Sequence, residues 1–292
     1  MMRRFSSVVV VATTLLISML QGAMPAAHAG GGAPTYYLAL GDSLAAGFQP
    51  GKGETPGYVG MLWRSVRNDQ ISSLELRNVG CSGETSGSLI TGNHSPCHYA
   101  AGSQLNAAVA FLEAHVGEVA FVTIDIGAND IVHQCFGPSG LIPTSCVTDL
   151  RPGLKHRVHS IVEALATAAP GVPVVAMKYY NPFLGLWGLI PGGRAVAHAD
   201  QRAWTVFNDA LTSAYEHAGA TVADVATTFR IDDFDNTVAV PGQGRVPVNV
   251  ALACRWTWFC SATHTFDVHA NRTGYRKIAT TFHRVLKPLL QT

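Results

Sequence analysis

A few short stretches of this sequence hold residue types that could move a proton or hold a negative charge. Ser43 stands in Gly41-Asp42-Ser43-Leu44. A serine hydroxyl becomes a nucleophile only when a base takes its proton and donors hold the oxyanion that forms. His269, in Phe266-Asp267-Val268-His269-Ala270-Asn271, is the candidate base among 12 histidines. Its advantage over the nearby His264 is Asp267, which is close enough in sequence to orient the ring. Asn129, in Gly127-Ala128-Asn129-Asp130, carries an amide that can donate to a developing oxyanion. Gly80 opens Gly80-Cys81-Ser82-Gly83-Glu84-Thr85, and without a Cβ its backbone N–H can approach a substrate closely. Taken singly, each has a plainer reading: a helix cap, a surface histidine, a turn asparagine, a turn glycine.

The elements around these residues decide whether they meet. Tyr36–Leu40, Leu74–Val79, Val119–Ile126, Val172–Tyr180 and Ala220–Val225 read as five strands, most of them short apolar runs ending near glycine. Leu154, Val158, Ile161, Val162 and Leu165 recur on one helical face, and Pro170-Gly171 ends that helix. Further helices are predicted over Ala199–Ala218 and Arg272–Leu289. Buried strands alternating with helices predict an α/β protein: a three-layer α/β/α arrangement around a central parallel sheet. In such sheets ligands bind outside the carboxyl ends of the strands. The clusters at Ser43, Gly80 and Asn129 each follow a predicted strand, so all three should converge on one edge.

The order of these pieces is more specific than any one of them. Gly-Asp-Ser-Leu follows the first strand, a glycine the second, Gly-x-Asn-Asp the third, and Asp-x-His precedes the last helix. This order resembles the SGNH hydrolase superfamily, the GDSL-type lipases and esterases, from Tyr36 to Leu289. The resemblance implies a flavodoxin-like SGNH fold with five parallel strands. It also implies a nucleophile at Ser43, a base at His269, and an oxyanion hole from the N–H groups of Ser43 and Gly80 with the Asn129 amide. The family usually places its aspartate three residues before the histidine and a proline after it. Here Phe266 is three before, Asp267 is two before and Ala270 follows, so the third triad member is Asp267 or a backbone carbonyl near Phe266. The elbow Gly-x-Ser-x-Gly of α/β-hydrolases does not occur.

Composition excludes other classes. Of 292 residues 48% are hydrophobic and 13% charged, the reverse of a disordered chain, and a net charge of +1 offers no basic surface for nucleic acid. Arg3 and Arg4, an apolar run from Val8 to Leu20 and Ala27-His28-Ala29 predict a secretory signal over 1–29 with cleavage near Ala29. The run is shorter than the roughly 20 residues of a spanning helix, and no later stretch of that length is free of charges and turn residues, so no transmembrane segment is expected in the mature chain. Residues 30–292 are expected to form a single hydrolase domain, secreted and monomeric. Six cysteines in an oxidising compartment predict disulfides, expected as the local couples Cys81/Cys97, Cys135/Cys146 and Cys254/Cys260, each pinning a loop. Such couples are also similar to those of secreted bacterial lipases and phospholipases of the superfamily.

The predicted chemistry is cleavage of carboxylic esters through an acyl-enzyme on Ser43, without metal or cofactor, on a small-molecule or lipid ester. Phe183, Leu186, Trp187, Trp256 and Trp258 are the candidate walls of an acyl pocket. Alternatives are a carbohydrate O-acetyl esterase, an acyltransferase, or a secreted binding protein that keeps the fold.

Overall fold

The structure, a computed structural model, describes residues 36–137 and 141–291; the expected signal segment 1–29 lies outside the described residues. Five strands form the central sheet: β1 (Tyr36–Gly41), β2 (Glu75–Asn78), β3 (Val119–Asp125), β4 (Val174–Lys178) and β5 (Thr221–Asp224). Their order is β2-β1-β3-β4-β5 and every neighbouring pair is parallel. All of β3, Val-Ala-Phe-Val-Thr-Ile-Asp, is buried, as a strand covered on both faces must be. The sequence Glu-Leu-Arg-Asn of β2 is exposed throughout, which suits its place at the sheet edge.

Helices flank the sheet. The long ones are α1 (Gly57–Asp69), α2 (Gln104–Ala114), α3 (Thr144–Ala168), α4 (Gly193–His217) and α5 (Arg272–Leu289). One layer pairs α1 with α5, and the other sets α3 against α2 and α4. The predicted stripe Leu154, Val158, Ile161, Val162 and Leu165 is buried in α3. Asn271 caps α5 by accepting the N–H groups of Thr273 and Gly274, and Ile278, Phe282 and Leu286 turn inward. Helix α4 starts at Gly193, upstream of the predicted Ala199, because its first turn exposes Arg194 and Ala195 and so carries no apolar signal.

The carboxyl ends of β1 and β3 lie level, since Gly41 is the register partner of Asp125. With β2 on one side of β1 and β3 on the other, the order reverses between β1 and β3, the switch point at which open α/β sheets bind ligands. The residues after both strands therefore emerge at a common edge. The segment before α5 reaches the same edge, tied back by a bridge between Thr257 and Ala270. Disulfides join Cys81 to Cys97, Cys135 to Cys146 and Cys254 to Cys260, the expected couples.

Candidate active site

Ser43 is the first residue of a short helical turn, Ser43–Ala46, that leaves β1. At this position its N–H has no intrahelical acceptor. Asp42 caps the turn: its Oδ1 accepts the Leu44 N–H at 2.9 Å and its Oδ2 accepts the Tyr179 hydroxyl at 2.7 Å. Asp42 is in turn held by Asp125, whose Oδ1 accepts the Asp42 N–H at 3.0 Å. Both carboxyls are buried. Burial, and next to it the charge of Asp42, holds the Asp125 carboxyl well above the usual carboxylate range, while burial also raises Asp42. Gly41 has φ +139°, and a Cβ there would run into Asp125. Gln104 brackets Gly41 from the other side, accepting its N–H at 2.7 Å and donating to its carbonyl at 3.1 Å. The serine thus stands on a turn whose backbone is fixed on every side.

Folding brings His269 from the far end of the chain to this turn. Its Nε2 lies 2.9 Å from Ser43 Oγ, and its Nδ1 lies 2.8 Å from Asp267 Oδ1. The same Asp267 oxygen accepts the backbone N–H of His269 at 2.9 Å. The partner of Nδ1 is therefore a carboxylate two residues away. The half-buried Asp267 would be raised by desolvation, but its hydrogen bonds from the His269 ring and backbone, with the ring's charge, outweigh this and hold its pKa below the usual value. Phe48 packs on the imidazole with ring centroids 4.4 Å apart. Gln49 spans the gap behind it, donating to the Ala270 carbonyl at 2.7 Å and accepting the Trp258 indole N–H at 3.2 Å. The Tyr180 hydroxyl donates to the Val268 carbonyl at 2.9 Å. These contacts fix the loop that carries Asp267 and His269.

Asn129 is the second residue of the helix Ala128–Cys135 after β3, and its Nδ2 donates to the Glu84 carbonyl at 2.9 Å. Ser43, Asn129 and His269 all line one cavity of about 60 Å³. Gly80 does not line it, and its N–H is already donated to Asn78 Oδ1 at 2.9 Å. The expectation of a free Gly80 donor is therefore corrected: in the fold that N–H is committed elsewhere. Gly83 is differently placed. It has φ +87°, is half-buried, and its N–H makes no hydrogen bond to any described residue. It directly precedes Glu84, whose carbonyl holds Asn129.

The apolar wall differs from the expectation in part. Phe183 lines the cavity, whereas Leu186, Trp187, Trp256 and Trp258 do not. Leu186 is buried in the core. Trp187 packs on His198 and Phe234, Trp256 meets Phe229 edge-on under Lys277, and Trp258 meets His264. Trp187 and Trp256 belong to the short helices Leu186–Leu189 and Val248–Trp256, and Trp258 follows the latter. The wall is built instead from Leu44, Val132, Tyr180, Pro182, Phe183 and Trp204. Tyr180 and Pro182 follow β4 directly, so the strand-end rule could have found them. Trp204 belongs to the buried face of α4, where it is indistinguishable in sequence from any core residue. Cys97, which clusters with His94 and His98 in sequence, is bonded to Cys81.

A family model of GDSL-like lipases and acylhydrolases matches residues 39–277. The chain belongs to that family. As a GDSL hydrolase it is a hydrolase acting on esters. Solved structures share the hydrolase's fold at low identity. A lipase from a goat rumen metagenome is 16% identical, with a TM-score of 0.56 over 86% of this chain and 96% of that one. An extracellular lipase from Streptomyces rimosus is 20% identical, with a TM-score of 0.54 over 87% and 99%. No curated protein matches the hydrolase's sequence.

Proposed function

We propose that the protein is a secreted carboxylic ester hydrolase that works through an acyl-enzyme on Ser43. The observation that carries the reading is the unbroken hydrogen-bond line from Ser43 Oγ through both nitrogens of His269 to Asp267, at 2.9 and 2.8 Å. In the first step His269 Nε2 takes the Ser43 proton as Oγ bonds to the ester carbonyl carbon. The carbonyl π pair moves to oxygen, and the resulting oxyanion is met by the N–H groups of Ser43 and Gly83 and by the Asn129 amide. The C–O bond to the alcohol then breaks, and the imidazolium returns its proton to the leaving oxygen. Water repeats the sequence to release the acid. Asp267 fixes the ring so that Nε2 faces the serine, and stabilises the imidazolium between steps.

Gly83 replaces Gly80 in this assignment because its N–H is unspent and it adjoins the residue that holds Asn129. The apolar wall from Leu44 to Trp204 suits the acyl part of a lipid or short-chain ester. Two further features support an exported enzyme: the hydrophobic leader of the sequence, and three disulfides joining all six cysteines. The test is a p-nitrophenyl phosphonate with mass spectrometry of the labelled peptide, beside p-nitrophenyl butyrate turnover. Label on Ser43, and loss of both label and turnover in Ser43→Ala at unchanged Tm, is expected. Turnover surviving in Ser43→Ala would overturn the reading.

A further inference from the structure

We infer that Asp130, Ser86 and Arg157 form a clamp that sets the geometry of the oxyanion donors, acting on the reaction through Asn129 and Gly83 without touching substrate. The inference rests on the ester-hydrolase reading above and adds three positioning residues to it.

The clamp joins three elements. Asp130 comes from the helix Ala128–Cys135, Ser86 opens the helix Ser86–Thr91, and Arg157 projects from α3. Asp130 Oδ2 accepts the Ser86 backbone N–H at 2.8 Å, and its Oδ1 accepts the Ser86 hydroxyl at 2.6 Å. Arg157 closes the ring: Nε donates to Ser86 Oγ at 2.7 Å and Nη2 to Asp130 Oδ1 at 3.1 Å. Asp130 and Ser86 are buried, and bonds to ionised groups in such a setting are short and strong.

The position of this ring gives it a consequence for the reaction. Asn129 donates one amide N–H to the Glu84 carbonyl, and its neighbour Asp130 holds Ser86 two residues further on. Two consecutive residues of one helix therefore grip two positions of one segment, and that segment carries Gly83. The bond to Glu84 also fixes the rotation of the Asn129 amide, leaving its second N–H for the cavity that Asn129 lines. If the segment slides along the helix, both donors move relative to Ser43. None of the three clamp residues lines the cavity. A misplacement of ~1 Å in a reacting geometry can lower a rate by about 10²-fold.

A purely structural role predicts loss of stability alone, whereas a positioning role predicts loss of turnover that depends on Asn129. Ser86→Ala and Arg157→Met are made singly and in an Asn129→Ala background. The readouts are kcat and KM on p-nitrophenyl butyrate, inhibition by an alkyl trifluoromethyl ketone, which adds to serine as a tetrahedral oxyanion, and Tm. Each single variant is expected to lose roughly 10–10²-fold in kcat with KM within about twofold, and to lose affinity for the ketone in proportion. Added to Asn129→Ala, each should cost less than it does alone, the remainder being the share carried through Gly83. Wild-type kcat with a lowered Tm would overturn the inference, as would a full multiplicative loss in the Asn129→Ala background. Arg157 is 31% exposed at its side chain, so Arg157→Met decides the matter if Ser86→Ala fails to fold. Wild-type kcat in Asn129→Ala itself would instead overturn the oxyanion assignment on which the clamp depends, a separate and recognisable failure.

Discussion

In the proposed mechanism Ser43, His269 and Asp267 act as a unit, and their variants should fail in distinguishable ways. Asp267→Asn keeps the shape of the side chain but offers His269 Nδ1 an amide, which can hold the wrong tautomer. A kcat loss of ~10⁴ is expected, as in other hydrolytic triads. A loss under tenfold on p-nitrophenyl butyrate would show that Asp267 does not orient the ring. In the same mechanism Asn129→Ala removes a donor used only when charge develops on oxygen, so kcat should fall by about 10²–10³ with KM nearly unchanged. A changed KM at normal kcat would argue for ground-state binding. The glycines are separated by direct observation. In a crystal structure of the phosphonate adduct, the phosphoryl oxygen should lie within ~3 Å of the backbone nitrogens of Ser43 and Gly83 and of Asn129 Nδ2. Contact with the Gly80 nitrogen instead would reverse that assignment, and would require the bond to Asn78 to break first.

Among the elements, α4 carries the clearest unsatisfied charge. Asp200 is fully buried on its inner face, and among the described residues neither its carboxyl oxygens nor the indole N–H of Trp204 one turn on has a hydrogen-bond partner at normal length. Burial pushes the Asp200 pKa up to about 7, only partly offset by the Asn181 side chain and the Ile142 backbone. The unfolded chain releases this proton near the ordinary value of 3.8, the folded chain only near 7. The unfolded state therefore binds fewer protons between those values, and stability falls as pH rises through that window. Above it the penalty is complete. Asp200→Asn cannot ionise, so its Tm relative to the unaltered protein should rise by at least about 3 °C between pH 4 and pH 8 in paired calorimetric scans. A Tm difference independent of pH would show that Asp200 is ionised in the fold.

For the whole molecule, the disulfides close three local loops, over sequence separations of 16, 11 and 6 residues. Cys81–Cys97 closes a 16-residue separation and flanks the segment that carries Gly83 and Ser86. Closing a loop of this size is worth ~3 kcal/mol in the chain-entropy account. The double variant Cys81→Ser/Cys97→Ser should lower Tm by about 6–12 °C in a protein of this size. A Tm within about 2 °C of the parent would mean that the loop is held by its hydrogen bonds, among them Tyr99 hydroxyl to the Val79 carbonyl at 2.8 Å.

The strands and the helices α3 and α5 were legible because burial imposes a period on a linear string: a short apolar run such as Val119–Ile126, closed by glycine, reads as a covered strand, and the stripe from Leu154 to Leu165 as one helical face. Ser43 and Asn129 were legible because their motifs follow strand ends, which parallel strands deliver to one edge, and His269 because an Asp-x-His motif precedes the last helix. The local cysteine couples were suggested by spacing, but six cysteines allow 15 pairings and the tertiary structure made the choice. What the tertiary structure alone decided depends on which atom meets which. The Gly80 N–H goes to Asn78 and the Gly83 N–H stays unspent, although both are glycines in one turn-rich segment. Trp256 and Trp258 pack away from the cavity while Trp204 lines it, a difference that composition cannot signal because the side chain is the same in either place. The join of Asp130 to Ser86 and Arg157 unites positions far apart along the chain. Hydrogen bonds are short-ranged and directional, so such pairings exist only once packing has fixed distances to a few tenths of an ångström.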